Sequence, residues 1–303
     1  MTPPPATAWS RPPVLQGDRV AVLDWSSSSI PKRGRDSIWL GISGANGTKA
    51  ENLPTRAMAE ARLAKLMLET CQTGTRLLIA CDLSFGFPAG FAPRLTGQAD
   101  ALAVWDWLAR HIQDDANNRH NLREVAALAN GRFDGDGPFW GNGAKADVPG
   151  LSRRKPALPD GLAEFRMTEQ VARAQALSPK SSWQLAGAGA VGAQNLVGLP
   201  VLARLRARFA DAVAVWPFQP PDSPIVLVET YTALIDDAVR ARDPAMVRDA
   251  AQVSFLASAF LAMDRAGTLS RLFAPPPPDA LPEEGWIFGL GHGAELSRHV
   301  TSA

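Results

Sequence analysis

Two short apolar runs, separated by a hairpin signal and a helix, each end in an aspartate, and this arrangement constrains the fold more than any other feature of the chain. Residues 19–24 (RVAVLD) form an apolar run closed by Asp24, which predicts a strand buried on both faces. Residues 37–44 (SIWLGISG) and a run from Thr48 flank Asn46-Gly47, a dipeptide suited to the positive φ angles of a tight hairpin. Between Thr55 and Cys71, Ala59, Leu63, Leu66 and Met67 recur at the spacing of one helix face. Residues 76–82 (RLLIACD) then make a further strand, closed by Asp82. A three-strand meander, a helix and a strand predict a mixed sheet covered by helices, an α/β fold.

The rest of the chain extends that scheme. Residues 101–129 read as mostly helical around Trp105, Trp107, Leu108 and Ile112, whereas 131–160 is rich in glycine, proline and charge and reads as a loop insertion. Helix resumes near Gly161 and again before Arg208; residues 212–216 (AVAVW) and 225–229 (IVLVE) are two more strands, the second closed by Glu229. A helix is predicted over residues 244–266 with Pro244 in its first turn, followed by a stiff connector at 275–278 and the apolar segment 286–288. No internal repeat is present, and the reading is a flexible leader over 1–18 followed by one domain over 19–303.

Hydrophobic residues make up 46% of the 303, enough to build a large core, and the formal net charge of +1 supplies no global field for gathering long nucleic acid. The two cysteines, Cys71 and Cys81, lack metal or redox spacing and read as buried thiols. The proline-rich leader has no apolar signal-peptide core, and no stretch of eighteen apolar residues occurs, so a cytoplasmic protein without membrane attachment is expected.

Asp24, Asp82 and Glu229 each close an apolar strand, where a carboxylate is costly unless cations or donors compensate it. If the three converge, an oxygen-only set favours Mg2+ or Mn2+, with Asp249 as a fourth ligand. The alternative is that each acid simply caps a helix or turn. Serines 26–29 follow Asp24 directly, and Ser26 and Ser27 are candidates to cradle a phosphate, with Lys32, Arg33 and Arg35 beside them. Plain turn duty is the competing role. Arg153, Arg154, Lys155, Arg204, Arg206 and Arg208 are further basic candidates.

Residues 187–192 (GAGAVG) satisfy the GxGxxG pattern of dinucleotide binding, but residues 181–184 make a poor preceding strand, Pro200 should interrupt the following helix, and Val215-Trp216 ends the next strand without an acid. Close packing of a loop near the acidic pocket is the preferred reading. The four histidines, at 111, 120, 292 and 299, lack zinc spacing, His292 falling in a glycine-rich segment read as flexible, and no GxSxG elbow supports a serine hydrolase. Phe139 and Trp140, flanked by glycines, either stack on a planar ligand or pin the loop to the body.

LDWSSSS at Asp24, IACDLSFGFP around Asp82, Glu229-Thr230-Tyr231 and the Asp249 helix together resemble a family of predicted nucleases with a ribonuclease H-like fold, over most of residues 19–290. Asn117-Asn118-Arg119, residues 137–141 and residues 182–202 resemble a bacterial subgroup labelled as molybdopterin-guanine dinucleotide synthesis proteins. The resemblance implies metal-binding acids at Asp24, Asp82 and Glu229. It also implies a second late-helix aspartate where this chain has Gln252, which leaves Asp249 alone. Three functions follow as expectations: a Mg2+- or Mn2+-dependent phosphodiester hydrolase in which water attacks phosphorus, a nucleoside triphosphate-dependent phosphotransferase of the actin-like or sugar-kinase architecture, and a non-catalytic nucleotide or pterin-ligand binding protein. The near-zero charge favours a small phosphorylated substrate or a short nucleic acid over bulk duplex.

Overall fold

The computed structural model describes residues 18–187, 189–241, 245–280 and 282–300. The expected leader falls on residues 1–18, of which only Asp18 is among these.

A six-stranded mixed sheet runs through the centre in the order β3-β2-β1-β4-β6-β5. Its members are β1 (Arg19–Asp24), β2 (Ile38–Gly44), β3 (Gly47–Leu53), β4 (Leu77–Asp82), β5 (Val213–Trp216) and β6 (Ile225–Glu229). The first three form the predicted antiparallel meander, while β4, β6 and β5 run parallel to β1. Gly44 pairs with Gly47, so the hairpin closes over Ala45-Asn46, one residue earlier than expected, and Gly47 alone carries the positive φ, 89°. Glycine meets that requirement without steric cost.

The helices are α1 (Arg56–Thr73), α2 (Phe91–Thr96), α3 (Ala101–His111), α4 (Leu122–Asn130), α5 (Met167–Ala174), α6 (Val191–Arg208), α7 (Asp236–Arg240), α8 (Arg248–Arg265) and α9 (Gly293–His299). They cover both faces of the sheet. Alternate strand residues face opposite layers: Ala21, Leu23, Ile79, Cys81 and Leu227 join the core with α1, α3, α4 and α6, while Val20, Val22, Leu78, Ala80, Val226 and Val228 join a second core with α8. Burial on both sides explains why these strands read as continuous apolar runs.

Local chemistry sets the helix ends. Thr55 accepts a hydrogen bond from the Met58 N–H to start α1, and Gly74, in the left-handed conformation, stops it. The late helix begins at Arg248, later than expected; Pro244 lies outside the described residues. The helix expected near Gly161 begins only at Met167, because Gly161 holds φ at +77° and Arg166 caps the start. The expected break at Pro200 does not occur: α6 runs through it, and burial of this helix on nearly every turn offsets the one missing backbone hydrogen bond. The short α9 is an element the sequence reading omitted, and His292, expected in a flexible segment, caps it with its ring 3.2 Å from Glu295.

Residues 131–160 contain no helix or strand beyond isolated bridges, in keeping with a loop insertion, yet the loop is anchored. Phe139 is fully buried against Phe87, Phe91 and Trp183, so it pins the loop and is not free to stack on a ligand. Trp140 packs half-buried against the same core, its backbone bonded to Trp183 and Leu185. Cys81 is buried as expected, but Cys71 is exposed, because it falls on the solvent side of α1. Among the described residues no helix is long and apolar enough to cross a membrane.

Backbone packs closely against backbone where α8 meets the sheet at Gly41 on β2. A Cβ there would stand 2.3 Å from the Val253 carbonyl oxygen, backbone against backbone with no flexible side chain to yield. Gly41→Ala is therefore expected to destabilise the protein by about 2–3 kcal/mol, read as a lowered denaturation midpoint in urea at unchanged m.

Candidate active site at the carboxyl edge of the sheet

Parallel pairing of β1 with β4 places Asp24 directly beside Asp82 in register. Both side chains are half-buried at the edge where the parallel strands end. Neither forms an ion pair with a described residue. Burial, then the negative charges of Asp82 and Asp249, push the Asp24 carboxyl well above the usual carboxylate range. Burial likewise pushes Asp82 up to about 6, with Glu229 adding to the rise and a hydrogen bond from the Thr232 hydroxyl, 2.7 Å from Oδ2, opposing it. Two adjacent acids without a cationic partner are costly, and that cost falls if a cation binds between them.

Asp249 projects from the first turn of α8, and its Oδ2 accepts the Asp36 backbone N–H at 2.8 Å. Asp24 and Asp249 line one cavity of about 620 Å3 together with Ser26, Ser27, Lys32, Asp36, Gln194 and the glycine loop before α6. Asp82 and Glu229 line a neighbouring cavity of about 100 Å3, and the two share Val191 and Gln194 as a wall. The structure thus brings all four expected acids to one edge of the sheet, in two adjoining compartments.

Glu229 differs from the others in its bonding. It pairs with Cys81, one residue short of Asp82, and both of its oxygens accept from the Arg166 guanidinium, while the Phe85 N–H donates to Oε2 at 2.8 Å. Arg166 is almost fully buried; burial opposes its charge, but Glu169 and Glu229 hold it protonated. Glu229 therefore has a cationic protein partner, shared with Glu169, which distinguishes it from Asp24 and Asp82.

The serine loop is largely occupied with its own turn. Ser26 Oγ donates to the Asp36 carbonyl and accepts from the Ser28 N–H, and Ser28 Oγ donates to the Ile30 carbonyl. The Ser27 carbonyl lies 3.2 Å from His120 Nε2. Lys32 reaches the large cavity, 3.6 Å from Asp36, whereas Arg33 points to β3, where it donates to the Asn52 carbonyl. Gly187 and Gly189 hold positive φ, and a Cβ on Gly192 would meet the Ser182 carbonyl at 2.3 Å. The GxGxxG stretch is accordingly a tightly packed wall beside the acidic cavity, as its sequence context suggested.

Several residues of this edge were not singled out in the sequence: Arg166, Asp36, Asp236, Thr232 and Gln194. Gln194 Nε2 donates to the Trp25 carbonyl at 2.8 Å and fixes the dividing wall. Gln252 donates to Asp236 Oδ1 at 2.6 Å, and Arg248 pairs with the other oxygen of Asp236. The position expected to carry a second late-helix acid thus engages an acid from α7.

Among the described residues, no group of three or more His, Cys, Asp or Glu side chains is arranged to hold a metal ion. The chemistry of the set, adjacent oxygen donors carrying uncompensated charge, nevertheless fits a hard divalent cation better than zinc, which draws on nitrogen and sulfur. Comparison with known proteins finds no matching family model, no matching curated protein and no matching solved structure.

The two kinds of acid predict opposite stability effects. An unfolded aspartate titrates near 3.9, so an Asp82 raised to about 6 holds its proton more tightly in the folded state. Its contribution to stability is then greatest below about pH 4 and is lost as pH rises toward about 6. Asp82→Asn should abolish that loss and raise stability at pH 7 by roughly 1–3 kcal/mol in chelated buffer, measured by urea denaturation across pH. Glu229→Gln should instead lower stability by roughly 1–3 kcal/mol, because it removes one of the two carboxylates that answer the buried Arg166 charge while Glu169 keeps its pair. A neutral outcome for Glu229→Gln would remove the structural role assigned to the pair.

Proposed function

We propose that the chain is a cytoplasmic, divalent-cation-dependent phosphodiester hydrolase of ribonuclease H-like architecture, acting on a nucleotide or a short nucleic acid. The observation that carries this reading is the pair Asp24 and Asp82, side by side at the ends of two parallel strands, without a cationic protein partner, next to a cavity of about 620 Å3. The order β3-β2-β1-β4, with an antiparallel meander joined to a parallel strand, supports the architectural part.

Asp24 and Asp82 are the residues that would hold Mg2+ or Mn2+, with Asp249 lining the same cavity as Asp24, and the bound ion would supply Lewis-acid polarisation of the phosphoryl oxygens. The remaining work falls to the chain. The Thr232 hydroxyl orients Asp82 in the smaller cavity, and the Asp36 N–H orients Asp249 in the larger one. Lys32 stands in the cavity wall, where its ammonium meets a phosphate oxygen, and Ser27 lies beside it. Glu229, held by Arg166, braces the end of β6 and adds negative field at Asp82 without acting as a free ligand. With Ser26 and Ser28 spent inside their own turn, the loop offers few hydroxyls to a triphosphate, and this disfavours the phosphotransferase reading.

The test is hydrolysis of a chromogenic phosphodiester and of a short single-stranded oligonucleotide, with Mn2+ or with EDTA. The native protein should be active only with the ion. Asp24→Asn and Asp82→Asn should each lose roughly 100-fold or more while folding normally. Undiminished turnover in both variants, or turnover in EDTA, would refute the mechanism.

A further inference from the structure

A further cavity, of about 560 Å3, lies on the flank formed by α2, α3 and the C-terminal end of α6. Its walls carry four arginines from four separate stretches of chain: Arg94 on α2, Arg110 at the end of α3, Arg132 just after α4 and Arg206 in the last turn of α6. Two carboxylates share the trough, and neither offsets this charge well. Asp100 is occupied as the cap of α3, accepting the Leu102 N–H at 2.8 Å, and Asp106 reaches only Arg206, at 3.6 Å.

The guanidinium groups divide into two held and two free. Arg94 donates to the Asp160 carbonyl at 2.6 Å and lies over the Phe133 ring, which fixes its direction. Arg206 is half-buried against Asp106. Arg110 and Arg132 are exposed and make no side-chain hydrogen bond or ion pair with any described residue. In a chain whose formal net charge is only +1, positive side chains gathered from residues 94 to 206 repel one another with too few acids to answer them. Like charges brought together by the fold and left without partners raise the free energy of the empty trough, and a multivalent anion would relieve it.

We propose that this trough is a binding site for a phosphate-bearing anion. Guanidinium forks offer paired parallel donors that match phosphate oxygens, and two of the four are uncommitted. On α6, Gln194 in the wall of the acidic cavity and Arg206 in the trough lie 12 residues apart, roughly 18 Å at 1.5 Å per residue. The site is therefore distinct from the hydrolytic centre and stands whether or not that centre cleaves phosphodiesters. The phosphate comes either from a free small phosphorylated molecule or from the backbone of a nucleic-acid strand.

The experiment uses the full chain in EDTA at low salt, so that binding is read without hydrolysis. Pyrophosphate is titrated calorimetrically, and a short fluorescent single-stranded oligonucleotide by anisotropy. The native protein should bind at least one of the two saturably below millimolar concentration. The double variant Arg110→Ser/Arg132→Ser should weaken that binding by about tenfold or more, and the exposed control Lys145→Ser should not change it. Tighter binding of the oligonucleotide than of pyrophosphate identifies a strand as the source; equal or weaker binding identifies a free small molecule. Absence of saturable binding by both probes, or binding equally strong in the double variant, overturns the proposal. Both substituted arginines are exposed and unpartnered, so the variant should melt at the native temperature.

Discussion

The parallel pairing of β1 with β4 determines most of what this molecule is. Each strand is apolar on both sides because helices cover both faces of the sheet, and the pairing sets their registers to end together. Once the strands end together, Asp24 and Asp82 have to lie side by side. The meander that β1 opens with β2 and β3, and the helical layers on both faces, hold that register, since a slip of one residue would exchange the two buried faces.

At one edge of the sheet, the fold treats negative charge in two ways. Glu229 is answered from within: a buried arginine takes both of its oxygens, and a backbone N–H takes a further position. Asp24 and Asp82 receive a hydroxyl, backbone donors and mutual repulsion. A fold that places a guanidinium beside one strand-end acid and none beside the adjacent two retains a local electrostatic cost at Asp24 and Asp82.

What the sequence made legible was short-range. The meander, the first helix and the acid-ended strands follow from patterns within windows of a few residues, and the structure contains them. Asp249 was a candidate because it lies on the long late helix, and the structure puts it in that helix's first turn. The environment of Glu229 was hidden because its partner, Arg166, is 63 positions away and belongs to no motif. Asp36 and Thr232 were hidden for a related reason: one acts through its backbone N–H and the other through a single hydroxyl, and neither leaves a compositional trace. The misjudged break at Pro200 shows packing overriding a local rule, and the buried Phe139 shows that glycines around an aromatic side chain do not imply freedom.

The contact between Gly41 and Val253 has a consequence for the chemistry as well as for the fold. Val253 lies one helical turn beyond Asp249 on α8, so the depth at which that helix seats on β2 also sets how far its carboxylate reaches over the strand ends. The missing side chain on β2, two residues along the sheet from the position that pairs with Asp24, thus acts as a depth stop for the Asp249 carboxylate. Residue 41 thereby bears on the position of an acid that lies on another element.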